Sequence, residues 1–192
     1  MYCGNNLSRG WKHLLVRSGL ARLRTFARDQ DGATAVEFAI VSVPFFALMF
    51  AILETALVFF GAQALETAVG TSGRLIRTGQ AQQQAMNTET FKDTICDQVF
   101  KIFDCADGLK LDVRTYPTFA ALTFEDPIDE EGNLDVEDFD FDIGEANEIV
   151  VVRAYYEWPT YVTGFGNDLR NLANGKHLIS SAAAFRNEPF PW

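Results

Sequence analysis

The sequence predicts an α+β protein: a long N-terminal helix, transmembrane in its first part, followed by a small antiparallel sheet and one further helix. Three observations support this class: a 25-residue apolar stretch at 38–62, a strand-like alternation at 149–158, and uneven charge. Residues 1–32 hold six of the 16 Lys and Arg residues but only two of the 26 acids. A basic head, an apolar segment and an acidic body are typical of a membrane protein whose head faces the cytoplasm.

The apolar stretch is long enough to cross a membrane. No residue from Phe38 to Leu53 is charged. The whole stretch, at about 1.5 Å per helical residue, exceeds the roughly 30 Å of a bilayer core. A buried helix of a soluble protein is the alternative, but Phe45–Leu53 is apolar on every face of a helix. The positive charge before the stretch favours a cytoplasmic N-terminus.

Two residues in this stretch are unusual for a passive anchor. Pro44 lacks an amide hydrogen and clashes with the preceding turn, so we predict a kink or local opening there. Glu54 lies inside the apolar stretch, where a central acid costs about 2.5–3.5 kcal/mol on insertion scales. It is either a snorkelling or protonated acid near the far interface, or a partner for the helix of another subunit.

A candidate cleavage site, Gly32–Ala33, lies before the apolar core, whereas a secretory signal is cleaved after its core. Cleavage here would leave the membrane helix on the product and create an ammonium group at Ala33. Glu37, one helical turn away, would offer that ammonium a counter-charge, which offsets part of the acid's desolvation cost. The alternative is an uncleaved anchor in which Glu37 merely favours the first helical turn through the helix dipole.

The order of Gly32, then Glu37 and Phe38, then an apolar run resembles the cleavage motif of type IV prepilins. A longer set of motifs resembles the TadE-like pseudopilins of tight-adherence (Flp) pilus systems. That set comprises VEFA (Val36–Ala39), Pro44, Leu53-Glu54, FGAQALETA (Phe60–Ala68) and the near-terminal AFRNEPF (Ala184–Phe190).

The resemblance implies a non-catalytic minor pseudopilin of the bacterial inner membrane that helps to assemble a type IV pilus. It implies cleavage between Gly32 and Ala33 by a prepilin peptidase, with Glu37 and Phe38 in recognition. The implied partners are other pilus subunits, inner-membrane assembly platform proteins and the lipid bilayer. The competing hypothesis is an uncleaved single-pass envelope protein whose acidic periplasmic domain is a binding or adhesin module.

The chain divides on these grounds into four predicted parts. They are a basic cytoplasmic leader peptide (1–32), a transmembrane helix (33–62), a helix extension with a polar connector (63–83), and an acidic periplasmic α+β domain (84–192). The extension carries a weak apolar stripe, and its glycines predict a fraying end near residues 70–79. The stripe consists of Leu65, Val69, Ser72 and Ile76.

The further helix is predicted from Thr88 to Phe103, with Asn87 or Thr88 as its cap, because apolar residues recur every four positions. Those residues are Phe91, Ile95, Val99 and Phe103.

The cysteines predict a disulfide. Loss of the leader would remove Cys3 and leave Cys96 and Cys105, an even pair in an oxidising periplasm. Nine residues of straight helix span about 13 Å, whereas a disulfide needs Cα atoms roughly 4.4–6.8 Å apart. The helix must therefore turn back near Phe103–Asp104. Two free buried thiols are the alternative.

Four strands are predicted from the alternation of apolar and polar residues. The strongest is Ile149–Trp158, whose Val150, Val152, Ala154, Tyr156 and Trp158 share one face. The others are Leu109–Arg114, a short strand at Phe119–Phe124, and His177–Phe185.

Two acidic stretches are candidates for a calcium-binding loop: Glu125–Gly132 and Asp135–Asp142. An EF-hand loop starting at Asp138 fails, since Ile143 and Ile149 occupy the positions that require Gly and Glu. The prediction is a solvated acidic loop with Phe139, Phe141 and Ile143 turned inward, and a looser calcium site is the alternative.

Enzymatic motifs are missing from the sequence. His177 lies near Ser180 and Ser181, but no G-x-S-x-G elbow frames them. The sequence has no P-loop, no H-E-x-x-H and no basic aromatic patch for nucleic acid. We expect no catalysis, no cofactor, no bound metal and no nucleic-acid partner.

Overall fold

A computed structural model of the protein describes residues 32–99, 103–123, 126–162 and 168–191. The predicted leader, apart from Gly32, lies outside these residues, as do Phe124 and Glu125. The chain divides after Leu48 into two units.

The first unit contains the beginning of helix α1, which runs from Ala33 to Arg77. The large apolar side chains from Val36 to Leu48 are exposed. The most apolar window of α1 has a mean hydropathy of 2.3 and is only 6% buried, so the helix is long and apolar enough to cross a membrane. A single N-terminal helix of this kind fits a single-pass membrane protein.

The second unit contains a three-stranded antiparallel sheet. Its strands are β1 (Leu109–Tyr116), β2 (Ile149–Trp158) and β3 (His177–Arg186), in the order β1-β2-β3. The central strand β2 pairs Val152 with Val113 on one side and with Ala183 on the other. The predicted α+β class, with a long helix and a small antiparallel sheet, is confirmed.

One face of the sheet packs against the second half of α1. The predicted apolar face of β2 belongs to one core cluster together with Leu65, Val69 and Ile76 of the helix, each with 0% exposure. The predicted helical stripe is therefore confirmed. Burying an aliphatic side chain contributes about 1.5–3 kcal/mol, so this contact is a main source of stability.

Two glycines of α1 bring the helix backbone close to aromatic rings of the sheet. A Cβ at Gly61 would lie 2.7 Å from a ring carbon of Trp158, and one at Gly73 would lie 2.9 Å from Phe185. The helix continues through Gly73 to Arg77, so the predicted fraying at this glycine is wrong. A ring packed on the glycine supplies the contacts that its missing side chain cannot make.

The polar segment after α1 is folded and partly buried. Gly79, with φ of 77°, ends the first helix and precedes the short helix α2, Gln80–Gln83. Ala81 has 0% exposure, and Gln82 donates from Nε2 to the carbonyl oxygens of Ile143 (2.9 Å) and Gly144 (3.1 Å). The segment thus contributes to the core, which its low-complexity composition did not predict.

Helix α3 spans Thr88–Cys96 and is capped by Asn87, which forms a reciprocal capping box with Thr90. The predicted end at Phe103 is wrong, because the chain leaves the helix at Asp97. The predicted apolar residues are nevertheless all buried, Val99 and Phe103 from beyond the helix end. A one-turn helix, α4 (Cys105–Gly108), leads into β1.

The short strand predicted at Phe119–Phe124 is also wrong. Phe119–Ala121 forms a 3₁₀ turn, and the Phe119 side chain is 53% exposed. Pro117 follows β1 directly and lacks the N–H that a continuing ladder requires. Apolar composition alone therefore did not make a strand.

Candidate functional site: the apolar helix and its two acidic residues

The candidate cleavage site lies at the start of α1. Gly32 forms an exposed turn, Ala33 is the first helical residue, and the N–H of Val36 donates to the carbonyl oxygen of Gly32 at 3.1 Å. Among the described residues, apart from the chain adjoining Gly32, no atom lies within 4 Å of the position where Gly32 would carry a Cβ. The described residues thus leave the bond between Gly32 and Ala33 exposed to solvent in the monomer.

Glu37 and Phe38 lie in the following turn of α1 and are both exposed, Phe38 by 69%. Within the described ranges, the Glu37 carboxylate has no hydrogen bond or ion pair. Pairing with an ammonium at Ala33 stays a prediction. A free carboxylate on an otherwise apolar helix surface requires a partner or water when lipid surrounds it.

Pro44 lies inside α1, and the assigned helix continues through it. Because proline has no amide hydrogen, the Ile40 carbonyl lacks its usual helical donor. Two residues earlier, the Ser42 hydroxyl donates to the Ala39 carbonyl oxygen at 3.1 Å. Pro44 therefore leaves a polar group on the helix surface without ending the helix.

Glu54 has a different environment from Glu37. Its residue is only 6% exposed, and its carboxylate accepts hydrogen bonds from the backbone N–H groups of Tyr161 and Val162. The Val162 nitrogen is 3.1 Å from Oε1 and 3.0 Å from Oε2. Hydrogen bonds to an ionised acceptor are stronger than neutral ones, so they offset part of the cost of burying this acid. From the sequence, Glu54 was expected to snorkel, to be protonated or to pair with the helix of another subunit. In the structure its partners are backbone amides of the same chain.

A spacing signal connects Glu54 to the sheet-facing side of α1. The buried residues Glu54, Val58, Gly61 and Leu65 follow one another at intervals of four, three and four. They extend the predicted stripe from Leu65 towards the N-terminus on the same helical face. Continued from Leu65 towards the N-terminus, the stripe predicts that Glu54 lies on the sheet-facing side of the helix. It does not predict which groups contact Glu54.

The structure forms the predicted disulfide between Cys96 and Cys105, whose Cα atoms are 5.8 Å apart. The bond joins the end of α3 to the start of α4. Between them Phe103 packs on Tyr156, with ring centroids 4.7 Å apart, and the N–H of Asp104 donates to the Tyr156 hydroxyl at 2.9 Å. The bridge therefore fixes the return of the chain towards the sheet.

The opposite face of the sheet carries a buried ion cluster that the sequence did not predict. Asp112 is a polar residue in the alternation of β1, yet it is 2% exposed and accepts a hydrogen bond from Arg153 Nη1 at 3.0 Å. Its other oxygen accepts from Arg114 Nε at 2.7 Å, and this hydrogen bond raises the pKa of the Arg114 guanidinium. The N–H of Asp140 also donates to Asp112, at 3.1 Å, so the acidic loop covers this face.

The acidic loop packs through its aromatic residues, as predicted. Phe139 stacks on Tyr155 with centroids 5.3 Å apart, Phe141 contacts Phe91 at 5.8 Å, and Ile143 packs against the core. Most of its acids point to solvent. In the part of the chain that the structure describes, no group of three or more His, Cys, Asp or Glu side chains is arranged to hold a metal ion.

The near-terminal segment returns to the end of α1. Asn187, 2% exposed, donates from Nδ2 to the carbonyl oxygens of Ile143 (3.1 Å) and Glu145 (2.9 Å). The N–H of Glu188 donates to the Arg77 carbonyl oxygen at 2.8 Å. The tail thus satisfies a carbonyl that the helix end leaves open.

Residues 32–74 match the family model described as TadE-like protein. The match confirms the resemblance stated from the sequence, and it covers the cleavage motif, Pro44, Glu54 and most of α1. A TadE-like match implies involvement in the assembly of the tight-adherence pilus. No curated protein and no solved structure matches the chain.

Proposed function

We propose that this chain is a minor pseudopilin of a tight-adherence (type IV) pilus system. It is anchored in the bacterial inner membrane, with a cytoplasmic N-terminus and a periplasmic domain at 84–192. The observation that carries the proposal is the TadE-like match, which begins at the glycine before the candidate cleavage bond. The exposed apolar surface of α1 supports the membrane anchor.

Maturation by a prepilin peptidase is the first step of the proposed function. Hydrolysis of the bond between Gly32 and Ala33 leaves a carboxylate on Gly32 and an ammonium on Ala33. The open surroundings of Gly32 support access by a protease, and glycine permits the backbone angles that a tight active site demands. The helix stays on the product.

The mature chain then acts by helix packing and not by catalysis. Glu37, exposed one turn into the helix, pairs with the new ammonium of its own chain or of a neighbouring subunit. A pair with a neighbouring subunit sets the register between the two helices, because an unpaired charge in lipid is costly. The partners are other pilus subunits and assembly platform proteins of the inner membrane.

The N-terminus of the protein in its native host tests the proposal. Mass spectrometry of the membrane-extracted protein is expected to show a chain that starts at Ala33. Gly32→Leu should block cleavage and retard the protein on a gel, whereas Gly19→Leu, in the same predicted leader, should not. An intact mass that starts at Met1 would instead support the uncleaved anchor with a periplasmic binding or adhesin module.

A further inference from the structure

A cavity of about 420 Å³ lies where the second unit begins, between α1 and the segment after β2. Its walls are apolar or aromatic side chains, and Glu54 and Val162 complete the lining. The wall residues are Phe50, Leu53, Leu57, Trp158, Pro159 and Tyr161.

The helical wall of the cavity is continuous with the exposed apolar surface of α1. Phe50, Leu53 and Leu57 are each about half exposed (51%, 51% and 52%) although they line the cavity. The helix between them and Ala33 carries one charged residue, Glu37. The cavity therefore opens onto the helix surface that lipid would cover if the helix spans a membrane.

Helix length gives the depth of the cavity in a bilayer. The 21 residues Ala33–Leu53 cover about 31 Å at about 1.5 Å per residue, which matches the roughly 30 Å of a hydrocarbon core. With Ala33 at the cytoplasmic interface, Glu54 and the cavity lie at the periplasmic edge of the core. This step rests on the proposed function, because that function supplies the membrane span and its orientation.

The residue types around the cavity suit that depth. Trp and Tyr are enriched at membrane interfaces, and here Trp158 forms a cavity wall while Tyr161 is 82% exposed beside it. Among the described lining residues the one acid is Glu54, which is turned to the backbone N–H groups of Tyr161 and Val162. It offers nothing to an anionic headgroup, so the lining selects for a hydrocarbon chain.

We propose that this cavity binds an acyl chain of a phospholipid from the periplasmic leaflet. The segment Pro159–Val162 then anchors the second unit directly on the bilayer surface. Glu54 is a positioning residue in this site: it holds the two backbone amides and thereby places the Tyr161 ring at the cavity mouth. Apolar burial of the chain drives the binding.

The full-length protein with Trp158 as its sole tryptophan tests the proposal. Trp11→Phe and Trp192→Phe remove the other two, and the protein is reconstituted in phosphatidylethanolamine–phosphatidylglycerol vesicles with brominated acyl chains. Bromine quenches a nearby indole. We expect loss of most Trp158 emission, greater with bromine near the ester end than near the methyl end of the chain.

Two matched variants separate cavity binding from mere closeness to lipid. Leu57→Gln makes the cavity wall polar and should restore much of the Trp158 emission. Phe59→Gln, on the same helix but outside the cavity lining, should leave the quenching unchanged. An intact Cys96–Cys105 bridge on a non-reducing gel checks that each variant is folded. Equal quenching in both variants, or none in the parent, overturns the proposal.

A second probe distinguishes this proposal from the membrane span on which it rests. Phe46→Trp, combined with Trp158→Phe, places the sole tryptophan in the first unit of the helix. Quenching of this probe by bromine near the methyl end, without quenching of Trp158, overturns the acyl-chain site and leaves the span standing. A lack of quenching at both positions overturns the span and the site together.

Discussion

Glu54 is an acid in an apolar helix whose charge is used within its own chain. Its carboxylate accepts from two consecutive backbone N–H groups in a segment more than a hundred residues away. A partner in another subunit is therefore not required to explain its burial. Glu37, exposed and without such donors among the described residues, is the acid whose charge is available for an intermolecular pair.

Removal of the Glu54 carboxylate should destabilise the second unit. Glu54→Ala leaves the Tyr161 and Val162 amides without their acceptor, and hydrogen bonds to a charged group contribute about 1.5–3 kcal/mol. Denaturant unfolding in detergent measures the loss. Glu66→Ala, an exposed acid on the same helix, is the control and should change the free energy of unfolding little. Equal effects of the two substitutions would contradict the role of Glu54.

Two glycines of α1 form a matched pair for a second prediction. Gly61→Ala would place a methyl group 2.7 Å from the Trp158 ring, so we expect destabilisation of about 1–3 kcal/mol from overpacking. At Gly70 an added Cβ has no described atom within 4 Å beyond the adjoining helix backbone, so helix propensity should make Gly70→Ala more stable by about 0.5–1 kcal/mol. Thermal melts followed by near-ultraviolet circular dichroism report both. A stabilised Gly61→Ala would show that the ring contact is not tight.

At the residue scale, the sequence predicted which side chains are buried better than it predicted the groups that contact them. The stripe from Leu65 to Ile76 and the inward aromatic residues of the acidic loop were predictable because side-chain period reports burial. The donors to Glu54 were not, because nearly every residue carries a backbone N–H and no side-chain pattern distinguishes these two. The burial of Asp112 was equally hidden, since it depends on Arg153 in the neighbouring strand.

The elements around the disulfide supply the third prediction. Cys96→Ser with Cys105→Ser should lower stability by about 2–3 kcal/mol, because the bridge closes a short loop in the unfolded chain. In reductant, the free energy of unfolding of the parent should fall by the same amount, and its melting temperature should fall with it. The double variant should not respond to reductant. A parent that melts identically with and without reductant would mean that the bridge does not form in solution.

Element ends were less predictable than element existence. Ile149–Trp158 was predicted with its observed bounds, because a period of two sustained over ten residues is typical of a strand and does not fit a helix. Helix α3 ended seven residues early, since apolar residues at four-residue spacing stay buried even after the chain has left the helix. Phe119–Phe124 had strand composition but no neighbouring strand to pair with among the described residues.

The folding of residues 84–192 depends on their contact with α1, which gives the fourth prediction. A fragment of residues 84–192 lacks Leu65, Val69 and Ile76, whose burial contributes about 1.5–3 kcal/mol each, against a typical total stability of about 5–15 kcal/mol. We expect it to show no cooperative unfolding transition. A fragment of residues 49–192 in detergent micelles should show one. Well-dispersed amide resonances from residues 84–192 alone would refute this dependence.

At the scale of the molecule, the sequence predicted the class of fold and the order of its parts. Charge asymmetry and the apolar stretch each extend over many residues, so neither prediction depends on any single residue. The continuation of α1 under the sheet was less visible, because an exposed apolar segment and a core-facing stripe overlap at residues 50–61. There, the side of the helix that lines the cavity with Phe50, Leu53 and Leu57 continues at Gly61, which meets Trp158 and Ile179.

The covalent bridge at the end of α3 also decides how the chain would respond to a nick. A protease that cuts once between Asp97 and Asp104 leaves two pieces that remain linked through sulfur. On a gel without reductant the nicked chain migrates near its intact mass, and thiol treatment separates it into two bands. Damage in that stretch would therefore leave the C-terminal part of the chain covalently attached to the part that contains α1.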